Sequence, residues 1–162
     1  MKPLILYHTN YYTTKQAAEV IAKYFNIKDI FNVNDFDLAN ITNHDTLFLG
    51  SNVRAFKIGK PVQTLLKKIK NEEIDIKIFL FLVAGTPNPT GLEVAEKLKN
   101  KHDAIQQFTC FNGRMKFAEM TSDDQKMIEL AYDMMKRELK DYDDFKEEQV
   151  INFCKEVEEF LR

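Results

Sequence analysis

The sequence predicts one α/β domain of three layers, in which helices cover both faces of a five-stranded parallel sheet. Apolar strand patterns alternate with helical patterns along most of the chain, and the strands end in polar or Gly-containing loops. No linker rich in Pro, Gly or Ser divides the 162 residues, and an apolar fraction of 44% is enough for one core. We therefore expect residues 1–162 to form a single domain with right-handed crossovers.

The first strand leads into a loop that is rich in hydroxyl and amide groups. Strand one ends at Tyr7, and Thr13 or Thr14 can then cap a helix that runs to about Phe25. The first turn of such a helix leaves backbone N–H groups without intrahelical partners and carries a partial positive charge. This junction suits a phosphate, whereas His8 at its mouth is expected to pack or to form a hydrogen bond.

The later strands and helices follow in alternation. Four further strands are predicted at residues 28–33, 45–51, 76–83 and 104–111. Helix two begins at Pro61, and helix three covers about residues 92–100. Residues 52–59 and 84–90 are the second and third loops, and the two prolines of the third exclude regular structure there.

The last third of the chain predicts two helices in succession, at about residues 122–139 and 145–161. Only one of them is needed to cover the sheet, so the other is an extra element. The first has an apolar stripe formed by Met127, Ala131, Met134 and Met135. We interpret this stripe as ordinary core, and a partner groove or a membrane contact is the alternative.

Charge and cysteine usage restrict the class of protein. A net charge of −2 and a pI near 6.0 give no reason to expect a nucleic-acid or membrane-surface partner. Cys110 and Cys154 lie far apart within apolar runs, which favours buried thiols in a reducing compartment. The amino terminus lacks a cleavable signal pattern, and no apolar run approaches the roughly 20 residues that span a bilayer. We expect a soluble, cytoplasmic protein without a transmembrane segment; its oligomeric state stays open.

The loop after strand one resembles the first loop of the flavodoxin-like family. In that family the pattern Ser or Thr, any residue, Thr, Gly, any residue, Thr wraps the phosphate of FMN. The residues on these six positions are Thr9, Asn10, Tyr11, Tyr12, Thr13 and Thr14. Tyr11 stands where Thr is usual, and Tyr12 stands where Gly gives room and backbone freedom beside the phosphate.

Motifs further along the chain extend the resemblance. The order GSNVR, FNGRM, a Met-rich helix and QVINFCKEV is similar to the flavodoxin-like branch that includes menaquinone-dependent protoporphyrinogen oxidase. The resemblance implies a three-layer flavodoxin-like fold with strand order 2-1-3-4-5 and an extra C-terminal helix. It also implies that ligands bind where the strand order reverses, between strands one and three.

The resemblance implies that the three loops meet around FMN. The first loop surrounds the phosphate, and the other two lie on either side of the isoalloxazine ring. The ring contacts are expected from Ser51, Asn52, Val53, Arg54, Ala84, Gly85, Thr86 and Asn88. Neutral side chains and backbone groups suit a flavin, because the polar atoms of its ring form hydrogen bonds mainly with N–H and C=O groups. Flavin chemistry needs no side-chain nucleophile, and the sequence offers no metal-ligand spacing around His44 or His102 and no Ser-His-Asp constellation.

Charged and aromatic loop residues leave alternatives open. Arg54 near the pyrimidine end of the ring would favour an anionic reduced flavin, or it is a surface arginine paired with an acidic neighbour. Tyr11 and Tyr12 could stack on a flavin or fill the pocket in its absence. Lys57 and Lys60 could attract an acidic partner or solvate the loop.

Three functional hypotheses follow. The first is an FMN-binding electron-transfer protein or small flavin oxidoreductase, with a redox partner protein or a small-molecule acceptor. The second is a flavodoxin fold that lost its cofactor because Tyr12 blocks the phosphate loop, and that now serves as a binding or regulatory module. The third is a quinone-dependent porphyrinogen oxidase.

Overall fold

The computed structural model describes residues 2–85 and 89–162, without the side chain of residue 89. Its strands are β1 (Pro3–His8), β2 (Ile30–Asn32), β3 (Thr46–Arg54), β4 (Lys57–Ile58), β5 (Lys77–Ala84), β6 (Ile105–Asn112), β7 (Arg114–Met115) and β8 (Tyr142–Asp143). The main sheet has the order β2-β1-β3-β5-β6, and all of these strands are parallel. In the numbering of the five predicted strands this is 2-1-3-4-5, so the predicted fold class is confirmed.

Helices cover both faces of the sheet. They are α1 (Thr13–Phe25), α2 (Lys60–Asn71), α3 (Pro89–Lys99), α4 (Ser122–Met134) and α5 (Glu147–Leu161), with 3₁₀ helices at Leu38–Asn43 and Phe117–Glu119. Alternate strand residues point to opposite faces. A phenylalanine-rich core, which includes Phe48 and Phe79, packs under α1 and α5, and a leucine-rich core, which includes Leu47 and Leu80, packs under α2 and α3.

The second predicted loop is mostly a hairpin. β3 continues to Arg54 and pairs with β4 in antiparallel register, so that Val53 lies opposite Ile58. The two residues at the turn, Ala55 and Phe56, have φ angles of 46° and 62°. Tight hairpin turns need positive φ at both central residues, and Asn-Gly is the usual pair. An Ala-Phe pair carries no such signal, which is why the sequence predicted a loop.

Helix α4 differs from its prediction in length and in packing. It ends at Met134 because Lys136 adopts a φ of 52° and the N–H of Arg137 donates to the carbonyl of Tyr132 at 3.0 Å, which is a Schellman termination. The Met-rich stripe is not core: Met134 is 76% exposed, and Met135 is also exposed. The other four helices already cover the sheet, so α4 packs at the carboxyl ends of the strands instead.

None of the helices in the described part of the chain is long and apolar enough to cross a membrane.

Candidate functional site

The carboxyl ends of β1, β3 and β5 open into a crevice of about 410 Å³. This volume lies within the range of small-molecule and cofactor sites. The sequence-predicted residues that line it are Thr9, Tyr11, Thr13, Thr14, Asn52, Val53, Arg54, Ala84 and Gly85. The structure therefore brings the described parts of the three predicted loops together around one cavity.

Three of the predicted site residues that the structure describes, Asn10, Tyr12 and Ser51, are not among those that line the crevice. Asn10 is exposed, and Ser51 is buried beneath the cavity wall, where its hydroxyl donates to the carbonyl of Asn52 at 3.0 Å and accepts from the N–H of Gly59 at 2.9 Å. Ser51 thus joins β3 to the start of α2. Tyr12 is likewise absent from the lining. Thr86 and Asn88 lie outside the described residues.

Tyr12 adopts the backbone conformation that makes Gly usual at its position. Its φ is 75° and its ψ is −29°, in the left-handed region, immediately before the first residue of α1. The side chain is 46% exposed, and its hydroxyl donates to Oε2 of Glu19 at 3.0 Å. The Tyr12 side chain is not among those that line the crevice, so the hypothesis that Tyr12 blocks the phosphate loop is not supported by this geometry.

The α1 end of the crevice has unused hydrogen-bonding capacity. Thr14 is 1% exposed, and its Oγ1 has no hydrogen-bond partner among the residues that the structure describes. The buried Oδ1 of Asn52 is likewise without a partner there. Helix α1 has no side-chain N-cap, so backbone N–H groups of its first turn also remain available. Unpaired buried polar groups are costly. A phosphate at this helix terminus would accept hydrogen bonds from the Thr14 hydroxyl and the free N–H groups, whereas the Asn52 oxygen needs a donor.

Asp124 closes one side of the crevice. It lies in the first turn of α4, is 8% exposed, and accepts hydrogen bonds from the Arg54 guanidinium and the Tyr11 hydroxyl. The N–H of Thr121 donates to the Tyr11 hydroxyl at 3.3 Å, and the Thr121 hydroxyl accepts from the N–H of Asp124 at 3.3 Å. These contacts connect the start of α4 to the first two loops. Arg54 is therefore paired with an acidic residue, the second of the alternatives considered for it.

The flavodoxin domain family matches residues 4–142 of the sequence. The chain belongs to this family. The match begins within β1 and ends at the start of β8, so it includes α4 and the described residues that line the crevice. It does not identify the protoporphyrinogen oxidase branch, and that finer assignment stays a prediction.

Solved structures show the same fold. A flavodoxin from the domain Archaea aligns with a TM-score of 0.55 and 15% identity over 98% of this chain and 99% of that chain. The Fusobacterium nucleatum flavodoxin bound to flavin mononucleotide has the same score and identity over 98% of both chains. The Trp repressor binding protein from Bacillus subtilis aligns with a TM-score of 0.57 and 14% identity over 69% of this chain and 85% of that chain. No curated protein matches the sequence.

This flavodoxin domain has an apolar wall that the sequence analysis did not assign to the site. Residues from the segment after β6 and from α4 form it, and they include Met115, Met120, Met127, Ile128 and Ala131. The Met-rich stripe was the available signal, since Met127 and Ala131 belong to it. Methionine side chains adapt to ligands of different shape, so this wall can follow a flat ring.

His8 and the cysteines of the flavodoxin domain lie outside the crevice. The ring of His8 packs against Gly59, and burial lowers its pKa, which keeps it neutral at pH 7. Burial raises the pKa of the Cys154 thiol to about 12, and neither cysteine forms a disulfide bond with another described residue. Within residues 2–85 and 89–162, no group of three or more His, Cys, Asp or Glu side chains is placed to hold a metal ion.

Proposed function

We propose that the chain binds FMN in the crevice and acts as an electron-transfer protein or small flavin oxidoreductase in the cytoplasm. The observation that carries the proposal is the buried, unpartnered hydroxyl of Thr14 at the uncapped start of α1. A buried hydroxyl and free N–H groups at one helix terminus are suited to a phosphate. Membership of the flavodoxin domain family supports the same ligand, as does the fold shared with a flavodoxin bound to flavin mononucleotide.

The residues present fit the two ends of the cofactor. Thr9, Thr13 and Thr14, with the first N–H groups of α1, would hold the phosphate. The amide of Asn52 and the backbone of Gly85 are available to the polar edge of the ring, and the methionine wall would exclude water from its face. When bound, FMN supplies one-electron and two-electron chemistry. Ring contacts from Thr86 and Asn88 stay predictions.

Three charged side chains are among the described residues that line the crevice: Arg54, Arg114 and Asp124. Arg54 alone would favour negative charge on a bound ring, whereas Asp124 neutralises much of that effect. The guanidinium is partly exposed, so solvent screens the interaction further. We therefore propose a site in which Asp124 offsets Arg54 while Arg114 adds a second cation to the lining, rather than one in which Arg54 raises the reduction potential by itself.

The electron donor and acceptor are a redox partner protein or a small molecule. The crevice is open to solvent on the side of Phe56, which is 74% exposed at the turn of the hairpin. A bound ring there would be within reach of a partner surface, and electron transfer needs no side-chain acid or nucleophile.

A visible spectrum of the purified chain and an FMN titration test the proposal. We expect flavin absorbance, or uptake of added FMN with quenching of its fluorescence. Replacing Thr14 with Val removes the hydroxyl at nearly constant volume, and FMN affinity should fall about tenfold or more, since a hydrogen bond to a charged group is lost.

Riboflavin and a matched threonine provide the controls. Riboflavin has no phosphate, so its affinity should be nearly unchanged by Thr14→Val. The exposed Thr64, which bonds the carbonyl of Lys60 on α2, serves as the control substitution Thr64→Val. Absence of flavin bands together with no uptake of FMN would remove the proposal.

A further inference from the structure

A second groove lies between α2 and α3, on the face of the sheet opposite α1 and α5. Its volume is about 360 Å³, and its floor contains the apolar side chains of Leu66, Val94 and Leu98. Four lysines stand around this floor: Lys57, Lys67, Lys97 and Lys101. One carboxylate, Glu93, is also part of the lining.

The positive charge of this groove is not neutralised within the described part of the chain. All four lysines are exposed, and none of them forms an ion pair with a described carboxylate. His102, which also lines the groove, is affected by positive charge in this region. Burial lowers the pKa of His102, and the charges of the neighbouring Lys70 and Lys101 lower it further. The groove is therefore an apolar surface bordered by free cationic side chains.

The net charge of the chain is small, but positive and negative side chains are distributed unevenly between its segments. Residues 56–102, which include α2 and α3, contain nine lysines and five carboxylates. Residues 117–162, which include α4 and α5, contain fourteen carboxylates and seven basic side chains. One side of the protein is thus suited to acidic partners while the whole molecule remains acidic.

We propose that the groove between α2 and α3 docks an acidic, amphipathic segment of a partner protein. The lysines would pair with its carboxylates, and the apolar floor would cover its hydrophobic side chains. A small anion fits less well because exposed, flexible lysines do not provide buried, directed donors. Gln63, the amide in the lining, already donates to the carbonyl of Ile58 at 2.8 Å.

The dimensions of the groove agree with a segment of this kind. Its α3 side extends from Thr90 to Leu98, which is roughly 12 Å at the rise of an α-helix. That length accommodates about two helical turns of a partner.

The groove is adjacent to the proposed flavin site. Phe56 lines both cavities, so a partner in the groove would contact the edge of the crevice. The inference that this partner exchanges electrons rests on the proposed function, whereas docking itself does not.

A synthetic peptide tests the docking surface. The probe is a fluorescein-labelled 15-residue helical peptide with leucine on one face and glutamate on the other, and binding is followed by anisotropy at low and moderate salt. We expect saturable binding that weakens about tenfold in Lys67→Glu/Lys97→Glu, because two attractive contacts become repulsive. Glu93→Lys should tighten binding.

Matched variants distinguish a defined groove from general electrostatics. Lys28 and Lys155 are exposed and lie outside the groove, so Lys28→Glu/Lys155→Glu makes the same change in net charge and should alter peptide affinity less than about twofold. The same peptide with glutamine in place of glutamate should bind weakly.

Three outcomes would overturn the proposal. They are no binding of the acidic peptide by the unsubstituted chain, equal losses in the two double variants, and groove-dependent binding of a 15-nucleotide single strand in preference to the peptide. FMN titration of the same variants separates this result from the proposed function, because Lys67 and Lys97 do not line the crevice. FMN affinity should be the same in both double variants.

Discussion

The carboxylate of Asp124 receives the guanidinium of Arg54, although the two residues are 70 positions apart in the chain. Tyr11 donates its hydroxyl to the same carboxylate. A single buried acid therefore joins the start of α4 to the loop after β1 and to the end of β3, and it places a negative charge beside Arg54 in the lining of the crevice.

Asp124→Asn should raise the reduction potential of the FMN-loaded protein. The substitution leaves Arg54 without its counterion, and an unpaired cation stabilises the more negative, reduced ring. Because Arg54 is partly exposed, the effect should be below about 1 kcal/mol, which is about 20 mV for two electrons. Potentiometric titration followed by the visible spectrum measures it.

Asp123→Asn is the control for this prediction. Asp123 lies in the same helical turn but is exposed, so its substitution should leave the potential nearly unchanged. An equal rise in both variants would show that net charge, and not the contact with Arg54, controls the potential.

Tyr12→Gly should change FMN affinity by less than about threefold. The Tyr12 ring lies outside the crevice, and its backbone already has the positive φ that Gly would adopt. The substitution relieves the strain of a left-handed backbone at a non-Gly residue, roughly 1–2 kcal/mol, but it removes the hydrogen bond from the Tyr12 hydroxyl to Glu19. Because these two effects oppose each other, the free energy of unfolding should change little. FMN titration and urea unfolding check both expectations. FMN binding only in the variant would favour the cofactor-free hypothesis.

Gly59→Ala should destabilise the fold by about 1–3 kcal/mol. The backbone of Gly59 has a φ of −55°, which alanine tolerates, but the added Cβ would lie 2.2 Å from Cδ2 of His8. Inserting a methyl group into a filled space forces the ring or the start of α2 to move. Urea unfolding measures the loss, and the double variant His8→Ala/Gly59→Ala should recover part of it. Additive losses would contradict the contact.

Stability should fall as the pH is lowered from 6.5 towards 5. Burial lowers the pKa of both His8 and His102 below their usual value near 6.5, so between the unfolded and folded pKa values the unfolded chain binds more protons. The stability from these two groups is present above pH 6.5 and is lost as the pH falls through the folded pKa values. Urea unfolding at several pH values measures the slope, and His8→Gln/His102→Gln should flatten it.

The regular patterns of the sequence were sufficient for the α/β class, and the resemblance to the flavodoxin-like family supplied the strand order and the place of the candidate site. Alternating apolar residues such as Leu47 and Phe48 identify strands whose two sides belong to different cores. Asn26, with a φ of 54°, ends α1 where the sequence placed its end, since Asn is a usual left-handed residue. Strands of known order bring their carboxyl ends together, so the hydroxyl-rich first loop could be assigned to a ligand crevice.

The tertiary structure alone decided the features that depend on contacts between distant residues. No local pattern indicates that Asp124 reaches Arg54 and Tyr11, or that Lys136 would take the left-handed conformation that ends α4. The sequence pattern of the Met-rich stripe is the same whether the stripe faces a core or a crevice. The stripe does not enter the core because the other four helices cover the sheet. Local periodicity determines which residues face inward, whereas competition for the sheet faces determines what they meet.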